Sequence, residues 1–349
     1  MDPRSVKSLQ PEVLPGAEAA ARLGIDYVED WSGFESFLTQ KASSPSTLYY
    51  VPQRFSLEEL PPSLAAQATP SAPLWAVTIA KKWPTFQLEN AGNRVFALMA
   101  VQSPAEMESV RRAAKATVWA ILAGMRAIKP GASQRVAEVA VENACWQNGR
   151  GVSFWPWVMA GEKGVFPRPW ASFLRYDHLD GVMQAGDLVR LDVGCEWGHY
   201  QGDLGRTVPV SGRYTDGQRE TWNIFVAAYQ AGVKSLREGT TEDQLLDAWR
   251  SELVRHRGSA KTSMAQRAVD TWSKPDNTPL LGMPHTMNLD AGPVDGPLRA
   301  GMTVDFEPIV SIDGQGFYLE DMFLVTKDGV ELLTPGVPYT AEEIEAAMR

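Results

Sequence analysis

Apolar residues recur at close to a helical period at Met107, Val110, Val118, Ile121, Leu122 and Met125. Ser103-Pro104-Ala105-Glu106 supplies the start signals just ahead of them: serine as N-cap, proline at the first helical position, glutamate three residues after the cap. The pattern predicts a helix from Ser103 to near Lys129-Pro130-Gly131, and a second over "SQRVAEVAVENACWQNG". The same phrase recurs downstream. "YTDGQRETWNIFVAAYQAGVKSLREG" predicts a long helix closed by glycine, and "TTEDQLLDAWRSELVRH" predicts its successor.

Strand-like patterning dominates elsewhere. "TLYYVP", "LWAVTIA" and "RVFALMAV" have the β-branched and aromatic content of short buried strands, with "LPPSLAAQATPSAP" a loop among them. These segments predict a small α/β domain over residues 1–102, followed by a larger domain over 103–349. "RGSAKTSMAQRAVDTWSKPDNTP" predicts a polar surface loop that could overhang a site or be a plain insertion.

The larger domain carries two matched strand phrases, "AGDLVRLD" and "AGMTVDFE", each placing an acid six residues after glycine. Each leads into a predicted hairpin. A two-residue turn at Trp197-Gly198 would set Asp192 opposite Asp203, and a type I′ turn at Asp313-Gly314 would set Glu307 opposite Glu320. Directly opposed residues on antiparallel strands share a face. Together with the repeated helix pairs, this predicts an internal duplication.

Two like-charged pairs on buried strands are destabilising unless something neutralises them. One divalent cation, or two sharing bridging carboxylates, resolves the conflict. Composition narrows what else could contribute. The two cysteines, Cys145 and Cys195, are too few for a disulfide framework and lack zinc-type spacing. Of the four histidines, His285 in "LGMPHTMNLDAG" lies between the two hairpins and is the favoured further ligand. His256 is expected on a polar helix face, His199 at a hairpin tip, and His178 bordering the site.

The formal charge of −9, without a basic block, argues against nucleic acid or an anionic membrane as partner. No apolar run is long enough to span a membrane, and the first residues lack the apolar core of a signal peptide, so a cytoplasmic location is expected unless an exported form has been processed.

Taken together, "LDVGCEWGHYQGDLGRT", "PHTMNLD", "GMTVDFEP" and "YLEDMFLVTKDG" resemble the pita-bread metallopeptidases, which include methionine aminopeptidase, aminopeptidase P and prolidase. The resemblance covers residues from about 104 to 340, and the N-terminal α/β unit fits the two-domain Xaa-Pro branch. It implies an α/β (α+β) architecture with a pseudo-twofold pita-bread domain after the small N-terminal domain. It also implies a dinuclear centre in which Asp192 binds one metal, His285 and Glu307 bind the other, and Asp203 and Glu320 bridge. Glu307 is the expected proton carrier. Such a hard donor set favours two Mn²⁺ ions, with Co²⁺, Zn²⁺ and Fe²⁺ compatible by ligand type. The implied activity is hydrolysis of short peptides, at Xaa-Pro bonds, by a homodimer.

Three departures from the family pattern bear on substrate. A histidine before the first metal strand is replaced by Arg175 in "LRY", a second is replaced by Gly292 in "LDAG", and an arginine is replaced by Tyr318 in "YLED". In relatives these positions touch substrate or stabilise the transition state, so Arg175 and Tyr318 are expected at the substrate, with Arg175 or His178 supplying the missing donor. Arginine could also hold a peptide carboxylate by a two-pronged contact. The aromatic run Phe154, Trp155, Trp157, Phe166 and Trp170 offers a wall for an apolar side chain, Trp170 nearest Arg175, or else core or subunit packing. Alternatives to an altered-selectivity peptidase are a small-molecule hydrolase or lyase on the same fold, and a metal-binding protein with little catalysis.

Overall fold

The computed structural model describes residues 16, 20–21, 31–51, 73–165, 181–274, 285–286, 292–293 and 296–349. The chain packs as two units, Met1–Phe96 and Ala97–Arg349.

In the first unit, α1 (Phe34–Lys41) leads to β1 (Ser46–Tyr50), α2 (Leu74–Lys82) to β2 (Phe86–Asn90), and α3 (Gly92–Met99) follows. β1 and β2 pair in parallel, Ser46 opposite Phe86, as a crossover through α2 requires. Two of the three predicted strands are therefore helices: "LWAVTIA" lies in α2 and "RVFALMAV" mostly in α3. Short apolar runs do not reveal their period. Here two lysines close the last turn of α2, and the Asn90 side chain accepts from the Gly92 amide where α3 begins. The true second strand, "FQLEN", has too few apolar residues to announce itself.

The second unit follows its local signals closely. α4 (Pro104–Ala127) begins with a capping box between Ser103 and Glu106, and α5 (Gln134–Asn148) with a cap by Ser133. The short β3 (Trp157–Ala160) precedes β4 (Leu188–Val193), β5 (Glu196–Trp197), β6 (Tyr200–Gln201) and β7 (Leu204–Pro209). α6 (Asp216–Ser235) and α7 (Glu242–Arg255) repeat the helix pair, each opened by a Thr/Gln capping box. α8 (Ser263–Trp272) replaces the predicted surface loop. Its Ala265, Ala268, Val269 and Trp272 fall on one buried face, a spacing hidden among polar neighbours, and Trp272 packs edge-on against Phe225 and Phe317.

The remaining elements are β8 (His285–Thr286), β9 (Gly292–Pro293), β10 (Thr303–Phe306), β11 (Ile309–Ile312), β12 (Gln315–Val325), β13 (Val330–Leu332) and α9 (Ala341–Ala347). Among the described residues the main sheet runs β3-β4-β7-β12-β10-β8-β9, with β11 and β13 also paired to β12. Its two faces differ sharply. Leu191, Val304, Phe306 and Phe317 point toward the helices, where Phe306 stacks on Tyr229 of α6 at 4.8 Å. The alternate positions carry the acids. Both strand phrases begin on a glycine with positive φ, Gly186 at 96° and Gly301 at 90°, so the duplication extends to backbone conformation.

The second hairpin has the predicted turn, with Asp313 and Gly314 at φ 50° and 74°, and the pairs Phe306–Asp321 and Ile309–Tyr318 continue one register across Glu307–Glu320. The first does not. Its turn is Gly198-His199, at φ 60° and 70°, so Asp192 pairs with Gly205 rather than Asp203. The predicted turn would have forced Trp197 to positive φ, which a bulky side chain resists, whereas glycine and histidine adopt it more readily. The displacement amounts to two residues, one full pleat. Asp203 therefore keeps the expected face and meets Asp192 diagonally.

The two cysteines form one bridge, Cys145–Cys195 (Cα–Cα 5.1 Å), tying α5 to the foot of this hairpin.

Candidate metal centre

Register alone assembles the site. Trp157 of β3 pairs with Asp192 of β4, Asp192 with Gly205 of β7, and Gly205 with Glu320 of β12, forming one row across four strands. Glu307 extends the row beyond Glu320. One oxygen from each of Asp192, Asp203 and Glu320 lies within 4.8 Å of the others, Glu320 fully buried and the two aspartates partly so. Three carboxylates so close repel one another in a poorly hydrated site. All the donors are hard oxygens on strands or, for Asp203, just before one, so the arrangement fits a divalent cation.

Gly205 shapes what lies above the row. A Cβ there would collide with Cε1 of Tyr318, so its absence lets the phenol ring lie across β7. From that position the Tyr318 hydroxyl donates a short hydrogen bond to Glu320 Oε2 and lies 3.3 Å from Glu307 Oε2, which joins Glu307 to the cluster. Burial, followed by the charges of Asp192, Glu320, Glu307 and Asp203, pushes the Tyr318 pKa well above the ordinary value, so the phenol stays a proton donor. Arg190, two residues before Asp192 and on the same face, donates from Nη2 to Asp192 Oδ2 at 2.8 Å. Its guanidinium sits 4.5 Å from the centroid of the Tyr318 ring.

The helix-facing side of the sheet locks this row in place. Arg206, fully buried, donates Nη1 to the carbonyls of Gly205 (2.7 Å) and Glu320 (2.6 Å), Nε to Pro338 O (2.9 Å) and Nη2 to Asp321 Oδ1 (3.0 Å). Asp321 also accepts from Thr334, Tyr339 and Tyr229. Burial pulls the Arg206 pKa down, but Asp321, Tyr339 and Tyr229 together outweigh it and the net shift is upward. Two strands bearing site residues are thus clamped from behind through their own carbonyls.

Of the residues expected from sequence, Asp192, Asp203, Glu307 and Glu320 meet in this cluster, and Tyr318 lies at its centre. The backbone of His285 is in β8, opposite Asp305 of β10. Asp305 is itself buried two residues before Glu307. The His285 side chain, and Arg175, His178, Phe166 and Trp170 entirely, lie outside the described residues. His199 is at the hairpin tip, exposed as expected. Sequence reasoning passed over Arg190, Gly205, Arg206 and Asp321. The signal for Arg190 was available: in "VRLDV" an arginine alternates with the first acid, and period-two spacing puts both on one face.

The profile of metallopeptidase family M24 matches residues 108–327, which includes every residue of the acid row. The chain belongs to this family. Within M24, it is 30% identical over 270 residues to Xaa-Pro aminopeptidase of Escherichia coli K12, an alignment covering 71% of this chain and 59% of that protein. It is 28% identical over 264 residues to the mitochondrial intermediate cleaving peptidase 55 of Arabidopsis thaliana, covering 72% and 52% respectively. The alignments thus span between half and three-fifths of these two relatives. Among solved structures, a putative aminopeptidase P from Bacillus anthracis superposes with a TM-score of 0.78 at 21% identity, covering 99% of this chain and 80% of that one. Zinc-substituted E. coli aminopeptidase P in complex with product gives 0.73 at 25% identity, covering 100% and 80%. The M24 chain has the pita-bread fold, and none of its described helices is long and apolar enough to cross a membrane.

Proposed function

We propose that this chain is a metal-dependent peptidase that hydrolyses short peptides, with Xaa-Pro bonds as the substrate class and two divalent ions, Mn²⁺ for preference, as cofactor. The observation that carries the reading is the convergence of Asp192, Asp203 and Glu320 oxygens within 4.8 Å on one rigid sheet face. Family membership supports it, as does the similarity to the Xaa-Pro aminopeptidase of E. coli. In the proposed centre Asp192, Asp203, Glu307 and Glu320 supply oxygen ligands and His285 a nitrogen.

Ions held there supply Lewis acidity, polarising the scissile carbonyl and making water a competent nucleophile at neutral pH. The chain's own groups do the rest. Glu307, at the edge of the row and within reach of the Tyr318 hydroxyl, accepts the proton from water and returns it to the leaving nitrogen. Tyr318 orients Glu320 by donating to it, keeps its hydroxyl within reach of Glu307, and borders the substrate position. Arg175, with His178 and Trp170, contributes substrate contacts from the segment between β3 and β4. With Arg175 in place of a histidine, the reading includes altered selectivity, toward peptides that end in a free carboxylate close to the cut bond.

The test is a mass-spectrometric cleavage panel of Xaa-Pro dipeptides, Xaa-Pro tripeptides and matched peptides without proline. The protein is chelated and reloaded separately with Mn²⁺, Co²⁺ and Zn²⁺, and Asp203→Asn serves as the blank. Xaa-Pro cleavage that disappears in the blank is the expected result. Tight metal binding with no peptide cleaved would overturn the peptidase reading in favour of a small-molecule substrate.

A further inference from the structure

Two buried arginines flank the acid row, one on each face of the sheet, and they are held in different ways. Arg206 has all three nitrogens engaged: Nε and Nη1 on backbone carbonyls, Nη2 on Asp321. That is the pattern of a structural arginine, whose burial is offset by a full set of hydrogen bonds. Arg190 is almost as buried, at 4% exposure, yet among the described residues its one side-chain hydrogen bond is Nη2 to Asp192, with Nε and Nη1 buried and making none. Among the described residues no further hydrogen bond offsets placing a guanidinium there.

What does compensate is the field of the cluster. Arg190 touches Asp192 directly, lies against the ring of Tyr318 at 4.5 Å and approaches that of Trp157 at 6.0 Å. Burial alone would pull its pKa down, but Asp192, Tyr318 and Glu307 outweigh it and the net shift is upward. The acids in turn gain a neighbouring positive charge. Its loss would take from Asp192 the ion pair made within β4 and raise the repulsion among Asp192, Asp203 and Glu320. Each partner makes the other's burial tolerable.

We propose that Arg190 is a built-in counter-cation of the acid cluster, stabilising the metal-free protein and sharing Asp192 with the metal ion when one is bound. The inference rests on reading the cluster as a metal centre. It makes Arg190 a positioning residue, because Nη2 fixes one Asp192 oxygen and leaves the other for the cluster. It also gives Arg190 and the ion opposing electrostatic roles, since both neutralise the same carboxylates. Loss of Arg190 must therefore harm the metal-free state more than the loaded one. By linkage this means that Mn²⁺ stabilises the variant more than it stabilises the natural protein.

The experiment compares melting temperatures of the chelated full chain with and without Mn²⁺ for the natural protein, Arg190→Met, Arg190→Lys and the double variant Arg190→Met/Asp192→Asn. Expected for Arg190→Met is a metal-free Tm lower by roughly 5–10 °C, together with a larger rise on adding Mn²⁺ than the natural protein shows. Arg190→Lys, which keeps the charge but not the planar stack, should fall between the two. Removing an acid should relieve the loss, so the metal-free double variant should melt above Arg190→Met. Equal losses with and without Mn²⁺, or a double variant no more stable than the single, would overturn the proposal and leave Arg190 a packing residue. If Arg190→Met does not fold, folding of the double variant supports the proposal and its failure overturns it. A natural protein that shows no response to Mn²⁺ would instead overturn the metal-centre reading, while the metal-free comparison would still decide the role of Arg190.

Discussion

The ring of Tyr318 lies over Gly205 of the neighbouring strand, in space that any Cβ at 205 would occupy. That one close approach lets the phenol reach Glu307 and Glu320 and leaves a ring face for Arg190. Gly205→Ala should therefore act as a site lesion: the ring must move off β7, and its hydrogen bond to Glu320 goes with it. Overpacking of this kind costs about 1–3 kcal/mol. Melting curves should show that loss in the natural background and little of it in Tyr318→Ala, where the ring is gone. Additive losses would mean that the two residues do not constrain one another.

Metal removal should be visible in stability before any substrate is found. A ligand that binds only the folded state at a hundred times its dissociation constant contributes about 2.7 kcal/mol. Chelation should lower the Tm and Mn²⁺ should restore it, with the response blunted in Glu320→Gln, whose carboxylate is central to the row. Unchanged melting across chelation and reloading, with calorimetry showing no heat of binding, would mean that the cluster holds no ion.

On the other face, the fully buried Asp321 accepts from Arg206, Thr334, Tyr339 and Tyr229. Asp321→Asn leaves the Arg206 charge uncompensated, for which the expected cost is about 3–5 kcal/mol. Urea unfolding should resolve it easily. Because Arg206 also holds the Gly205 and Glu320 carbonyls, metal affinity should weaken in the same variant. A variant with natural stability would show that the carbonyl contacts and ring packing suffice without the charge pair.

What could be read from the sequence depended on how local the determining physics was. The capping box at Ser103 announced its helix because cap and partner lie three residues apart. The acid face was legible even though the first hairpin was set in the wrong register, since face depends only on parity along the strand and the error was a whole pleat. Segments 74–80 and 94–101 failed because short apolar runs carry no period, and α8 because its buried stripe is narrow and polar residues surround it. Arg190 was passed over although its alternation with Asp192 put both on one face. What no window of the chain contains is the ring of Tyr318, which crosses β7 over Gly205 to lie against that guanidinium.

The α8 correction has a direct consequence. Trp272 is fully buried and its indole nitrogen donates to Ser311 O at 3.0 Å, whereas Trp146 of α5 is 68% exposed. Trp272→Ala should cost about 3–5 kcal/mol, while Trp146→Ala should stay within roughly 0.5 kcal/mol. If denaturant midpoints showed the two to be equivalent, the segment would be the surface loop that its polarity suggests rather than part of the core.

Glu345 of α9 accepts from the Tyr214 amide at 2.9 Å and from the Arg219 guanidinium. Burial raises its pKa, but these partners outweigh burial and hold it below the ordinary glutamate value. A carboxyl whose folded pKa is depressed stabilises the protein above its unfolded pKa, and the contribution disappears as pH falls through the folded one. At pH 7 Glu345→Gln should lose about 1–2 kcal/mol, at the lower end for charged hydrogen bonds because Arg219 is partly solvated. As pH falls below the ordinary glutamate value of about 4.3 the gap should narrow, and it should close as pH passes down through the depressed folded value, where the natural carboxyl is protonated as well. Paired urea titrations at pH 7 and pH 3 measure this directly. A gap of the same size at both values would mean that glutamine fails through shape rather than lost charge, and the depressed pKa would have no part in holding α9 against the start of α6.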